Sequence, residues 1–184
     1  MPEPSSTPQV FLSCIHSDMR WAHEMRQMLE ATGAEVFLAS DSIRPGDSIA
    51  ERVREAIDMA SVVFVLIGPR TRGSKFVNWE IEIATQGTPS RPAPGLVAVI
   101  LPDHADYLRP FYDPENVPLR IHDHVSRESA ILRKWPKDPA EVQYWIAEAM
   151  RRRQRFPWPL VSFSTGSALR SFQWDESADQ PVRG

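Results

Sequence analysis

A single cysteine, Cys14, is all the thiol chemistry this 184-residue chain holds. It excludes an intramolecular disulfide and any cysteine-based zinc site, and it is the usage expected in a reducing compartment, by default the cytoplasm. No metal site is expected. Long apolar runs are missing as well: none approaches the roughly 20 residues a membrane span needs, so no membrane partner is expected. The opening MPEPSSTPQ lacks a basic segment followed by an apolar core and does not read as a secretory signal. Residues 1–8 are expected to be a disordered leader. There is no surplus of positive charge either. A formal net charge of -3 and a sequence pI near 6.0 give no global basic field for nucleic acid. The one basic run, RRRQR at 151–155, ends an expected helix, where cations complement the negative end of the dipole. No internal repeat is visible.

What is present is an alternation. Hydrophobic content of 42% and charged content of 24% fall in the soluble globular range, and the length suits one domain, read as 9–153, with an extension over 154–184. VFLSCI at 10–15 is a short apolar strand. Residues 17–32 then place Trp21, Met25, Met28 and Leu29 at helical spacing, with Ser17 or Asp18 as cap. Gly33 stops that helix and AEVFLA follows as a second strand. A polar loop at 40–49 leads to a helix with Ile49, Val53, Ala56, Ile57 and Ala60 as its stripe, capped by Asp47 or Ser48. SVVFVLIG at 61–68 is a third strand, and LVAVIL at 96–101, after the Pro/Gly-rich 87–95, is a fourth. Unbroken apolar strands between amphipathic helices imply a parallel sheet covered on both faces. Residues 102–136 show no period and read as irregular, with a short strand around Leu119–Ile121. Residues 138–152 read as a helix with Val142, Trp145, Ile146 and Ala149 inward.

Three stretches carry candidate chemistry. SKFVNWEIEIA at 74–84 reads as a helix after the third strand. Its spacing puts Phe76, Trp79 and Glu80 within reach of one face, with Glu82 roughly opposite. A carboxylate beside aromatic rings at the C-terminal edge of a sheet is partly desolvated, and it suits a base or a holder of sugar hydroxyls while positive charge develops on the anomeric carbon. The same helix also reads as ordinary amphipathic packing. In SIRPGDSI, Pro45 and Gly46 form a tight turn flanked by Asp41, Arg44 and Asp47, which displays charge at the sheet edge. VFLSCIHSD places Ser13, Cys14, His16 and Asp18 at the end of a strand expected to lie centrally, where His16 can meet a phosphate or ribose.

These three stretches, in this order, resemble the Toll/interleukin-1 receptor (TIR) domain: its first box, its BB loop (Asp41, Arg44, Pro45, Gly46, Asp47) and the helix of its catalytic glutamate. NVPLRIHDHV at 116–125 and WPKDPAEVQYWIAEAMRRR at 135–153 resemble the later part of bacterial TIR-like proteins of the Thoeris antiphage type. The resemblance implies a flavodoxin-like α/β fold with a central parallel sheet of about five strands. It implies Glu80 as the catalytic carboxylate that cleaves the nicotinamide–ribose bond of NAD+. Ser13, Cys14, His16, Arg44, Phe76 and Trp79 are then the substrate-binding residues. NAD+ is a substrate in this reading and no cofactor is expected. The product is linear or cyclic ADP-ribose acting on a separate effector protein, and the BB loop is a surface for self-association. Phe76 stands where the family commonly has tryptophan, and it stacks without donating a hydrogen bond. His124 stands where asparagine is expected. Two other readings are a non-enzymatic TIR adaptor that self-associates and a nucleoside deoxyribosyltransferase-like enzyme.

Overall fold

A computed structural model of the chain describes residues 7–39, 48–86, 92–109, 113 and 115–155, the side chains only as far as 153. The strands are β1 (Gln9–Ser13), β2 (Glu35–Leu38), β3 (Val62–Ile67), β4 (Gly95–Ile100) and β5 (Ala130–Lys134). They form one five-stranded sheet in the order β2-β1-β3-β4-β5, and every pairing is parallel. The helices are α1 (Met19–Ala31), α2 (Ile49–Met59), α3 (Lys75–Gln86), α4 (Leu119–Ser126) and α5 (Pro139–Arg155). This is the flavodoxin-like α/β fold that the resemblance implies, with the all-parallel, doubly covered sheet expected from the alternation.

Alternation along the strands divides the core into two layers. Val10, Leu12, Phe64, Leu66, Val97 and Val99 face α1 and α5, where they meet Met25, Leu29, Trp145 and Ile146. Phe11, Val63, Val65, Ile67 and Ala98 face the other way, toward Val53 and Ile57 of α2, Val77 and Ile81 of α3 and Ile121 of α4. β3 and β4 are buried at every position, which is why they are continuous apolar runs, whereas the edge strand β2 is exposed at its first residue. Gly33 ends α1 at a φ of 86°, a conformation that costs a residue with a Cβ free energy. The inner face of α5 is the expected one: Val142, Trp145, Ile146 and Ala149 are all buried.

Four details differ from the sequence reading. The segment expected to be a strand at Leu119–Ile121 is the start of α4. Val117 and Ile121 are buried and Val125 packs against the same cluster, so the apolar residues recur at four-residue spacing, a helical period that three residues cannot reveal. The fifth strand lies instead at Ala130–Lys134 within the stretch read as irregular. Only Ala130 and Ile131 are buried there, and an edge strand ending in Arg133 and Lys134 offers no apolar run to recognise. β1 is interior, but β3 is the middle strand. Asp18 and Ser48 occupy N-cap positions without making a side-chain cap hydrogen bond; the alternative cap, Asp47, lies outside the described residues.

Among the described residues between β4 and α4, polar contacts recur. The backbone N–H of Asp106 donates to His104 Nδ1 at 3.0 Å, and that of Asp113 donates to Asp106 Oδ2 at 2.7 Å. The buried Asp106 carboxylate also meets Arg109 at 3.2 Å, so its charge is compensated.

Candidate functional site

The chain runs from β1 outward to β2, then returns past β1 to β3 and continues to β4 and β5. α1 covers one face while α2 and α3 cover the other. A reversal of this kind marks the usual ligand position in open α/β sheets, beyond the C-terminal ends of the strands on either side of it, here β1 and β3.

Two elements meet there. Ser13 is the last residue of β1 and is paired in register with Val65. It stands two residues after Phe11, and side chains two apart share a face, so Ser13 points to the layer that contains α3. On α3 the buried positions are Val77, Glu80, Ile81, Ala84 and Thr85, a single stripe with one carboxylic acid in it. The helix starts at Ser74, whose Oγ accepts the N–H of Val77 at 3.3 Å, while Asn78 Nδ2 donates to Ser74 O at 2.7 Å. Glu80 is thereby held facing the sheet, 1% exposed. The Ser13 hydroxyl donates to Glu80 Oε2, and Glu80 Oε1 is buried without a partner among the described residues.

Burial is the larger influence on this carboxyl and pushes its pKa up to about 8, against the hydrogen bond from Ser13, which lowers it. Around neutral pH the acid is therefore largely protonated, and it ionises when an opposite charge or more solvent reaches it.

Phe76 and Trp79 are half-buried beside this stripe rather than in it. Their ring centroids lie 5.8 Å apart, and the Arg54 guanidinium of α2 lies 5.8 Å from the Trp79 ring. Glu82 is a partly exposed surface residue paired with Arg120 at 3.2 Å. Cys14 is half-buried with its Sγ 3.7 Å from Met19 Sδ. His16 is exposed in the short 3-10 turn His16–Asp18. Asp41, Arg44, Pro45, Gly46 and Asp47 lie outside the described residues. The structure thus joins Ser13 to Glu80 and Phe76 to Trp79. His124 sits elsewhere: its Nδ1 is 2.9 Å from Ser129 Oγ, just before β5 begins, at the opposite edge of the sheet.

The sequence placed Asp18 at this edge with Ser13, Cys14 and His16 and assigned it the role of a cap; the structure buries it. Asp18 is 4% exposed, and its Oδ2 has no hydrogen-bond partner among the described residues. It fills the space beside Gly68, where an added Cβ would stand 2.2 Å from that oxygen. Burial raises the Asp18 pKa, the hydrogen bond from Ser17 opposes this, nearby Asp103 adds to it, and Arg70 and Arg20 oppose it. Only the pairing of β1 with β3 brings positions 18 and 68 together. Among the described residues no three potential metal ligands converge, and no helix is long and apolar enough to cross a membrane.

The sequence over residues 10–138 matches the family model described as TIR domain. No curated protein matches the chain at a significant level. Among the solved structures that resemble it are two at 15% identity. One is the TIR domains of the activated Roq1 resistosome directly recognizing the pathogen effector XopQ, with a TM-score of 0.48 over 87% of this chain and 92% of that one. The other is 2-deoxyribosyltransferase from the psychrotolerant bacterium Bacillus psychrosaccharolyticus, with a TM-score of 0.46 over 73% of this chain and 90% of that one. The family match spans well over half of the sequence and includes both Ser13 and Glu80, and the chain belongs to the TIR domain family.

Proposed function

We propose that this TIR domain cleaves the nicotinamide–ribose bond of NAD+ and that Glu80 is its catalytic residue. The observation that supports the reading is a glutamate buried beside the C-terminal end of β1, at the point where the strand order reverses, with one carboxyl oxygen unpartnered among the described residues. Nicotinamide is a cationic leaving group: as the glycosidic C–N bond breaks, its electron pair returns to the pyridine ring, and positive charge passes to the ribose. A carboxylate at that point stabilises the oxocarbenium-like centre and accepts hydrogen bonds from the ribose hydroxyls. Water then adds to the anomeric carbon and loses a proton to give ADP-ribose; in the cyclic route a ribose hydroxyl adds with loss of its proton, or an adenine nitrogen adds through its lone pair. A substrate reaching Oε1 has to open the covering over a carboxyl that is 1% exposed.

In this reading residues 9–153 are the enzyme and 154–184 an extension, and the BB loop contacts substrate or a second copy. The nucleotide product signals to a separate effector in a cytoplasmic antiphage system of the Thoeris kind. The test is incubation of purified protein with NAD+ and identification of products by mass spectrometry. Release of nicotinamide is expected; its absence over a protein-concentration series would favour the adaptor reading.

The acidity of Glu80 sets the pH dependence. The free enzyme ionises with a pKa of about 8, so log kcat/KM should rise with unit slope up to about that pH and level off above it. The midpoint for kcat should be lower, because the bound pyridinium favours the charged carboxylate. A flat kcat/KM profile between pH 6 and 9 would contradict the assignment. The aromatic pair bears on the product: Trp79→Ala removes the ring beside Phe76 and admits water, so any cyclic product should fall relative to linear ADP-ribose. An unchanged ratio would separate the pair from cyclisation.

A further inference from the structure

We infer that Ser13 is the positioning residue of this site, acting through Glu80 rather than touching substrate: its hydroxyl occupies Oε2 and leaves Oε1 as the oxygen presented to the ribose. The inference rests on the NAD+ reading for its catalytic part only.

Its geometry comes from the fold. Ser13 is 1% exposed at the end of a strand clamped between β2 and β3, so its hydroxyl has little freedom. Glu80 has a longer side chain, and burial alone does not choose which oxygen points where. The Ser13 hydroxyl makes that choice by donating to Oε2. When Glu80 ionises, Oε1 carries charge without a partner among the described residues. An unmatched acceptor of this kind costs folding free energy unless a ligand satisfies it.

Among the described residues the surroundings supply no substitute for Ser13. β1 and β3 have no ionisable side chain. On α2, Arg52 pairs with Glu55 at 3.3 Å and Arg54 lies over Trp79; from α4, Arg120 pairs with Glu82. Burial and the Ser13 hydrogen bond are what shift Glu80, so removing the hydroxyl leaves burial unopposed.

The experiment compares wild type, Ser13→Ala and Ser13→Thr in the full chain. The first readout is the ionisation of Glu80 by NMR of side-chain carboxyl carbons, with Glu80→Gln locating the signal; it requires no turnover. Ser13→Ala should raise the midpoint by roughly one to two units, the value of a hydrogen bond to a charged group, and Ser13→Thr, which keeps the hydroxyl, should restore it. The second readout is kinetic: kcat should fall about ten- to a hundredfold in Ser13→Ala with little change in KM, and its pH profile should move up with the NMR midpoint. An unmoved NMR midpoint in folded Ser13→Ala overturns the inference whatever the turnover. A rise in KM at constant kcat overturns it in favour of substrate contact. A shifted midpoint in a protein that never cleaves NAD+ removes the proposed function and the catalytic part while sustaining the hold of Ser13 on Glu80.

Discussion

Glu80→Gln is expected to lose at least about a hundredfold in NAD+ cleavage, the scale of removing one electrostatic stabiliser from a water-excluded site, while becoming more stable relative to wild type as pH rises. Both effects come from the buried carboxyl. Glutamine keeps the volume and an acceptor for the Ser13 hydroxyl but never ionises. In wild type the folded-state pKa is about 8 against an ordinary 4.5, so between these values the unfolded chain has released a proton that the folded chain retains. Stability therefore falls as pH rises through that window and is level above it. Across the window the difference between variant and wild type should move toward the variant by on the order of 3–5 kcal/mol. The raised pKa of Asp18 is common to both proteins and cancels. Denaturant unfolding at pH 5 and pH 8.5 with an NAD+ assay at pH 8.5 measures both. Parallel stability curves would show that Glu80 is not a buried acid, and full activity would remove it from the chemistry. Glu82→Gln is the control: its ion pair with Arg120 is exposed, and its loss should cost less than about 1 kcal/mol.

The largest purely structural effect is expected at Gly95. This residue opens β4 where α5 crosses it, and an added Cβ would stand 2.8 Å from the backbone C and O of Ala149 and 2.9 Å from its Cβ. A flexible side chain can yield to such a contact, but helix backbone cannot without α5 moving off the sheet, which would disturb Trp145 and Ile146. Gly95→Ala should cost about 3 kcal/mol, a fall in Tm of roughly 6–12 °C for a domain of this size. Gly73→Ala is the comparison, because nothing lies within 4 Å of its added Cβ. Equal melting curves for the two variants would show that the β4–α5 contact is looser than these distances.

Local pattern was sufficient for much of this molecule. Continuous apolar runs at Val62–Ile67 and Gly95–Ile100, helical stripes such as Val142, Trp145, Ile146 and Ala149, and the stop at Gly33 each record burial or a backbone requirement within a few residues of chain. Those signals determined the parallel α/β class, four of the five strands, and Glu80 as the carboxylate of interest. Where burial was thin the pattern failed: α4 was hidden in a short apolar segment, and β5 was an edge strand with only two buried residues. The site needed the tertiary structure for a different reason. Ser13 and Glu80 are 67 residues apart, as remote in the chain as β1 is from the helix after β3, and no local period encodes the pairing that brings them together. Helical spacing placed Glu80 near Phe76 and Trp79, but packing against the sheet placed it in the stripe of Val77 and Ile81. The sequence by itself determined that an acid stands on that helix; only the sheet, by excluding water from it and setting the Ser13 hydroxyl against one of its oxygens, decided its charge state and which oxygen is left open.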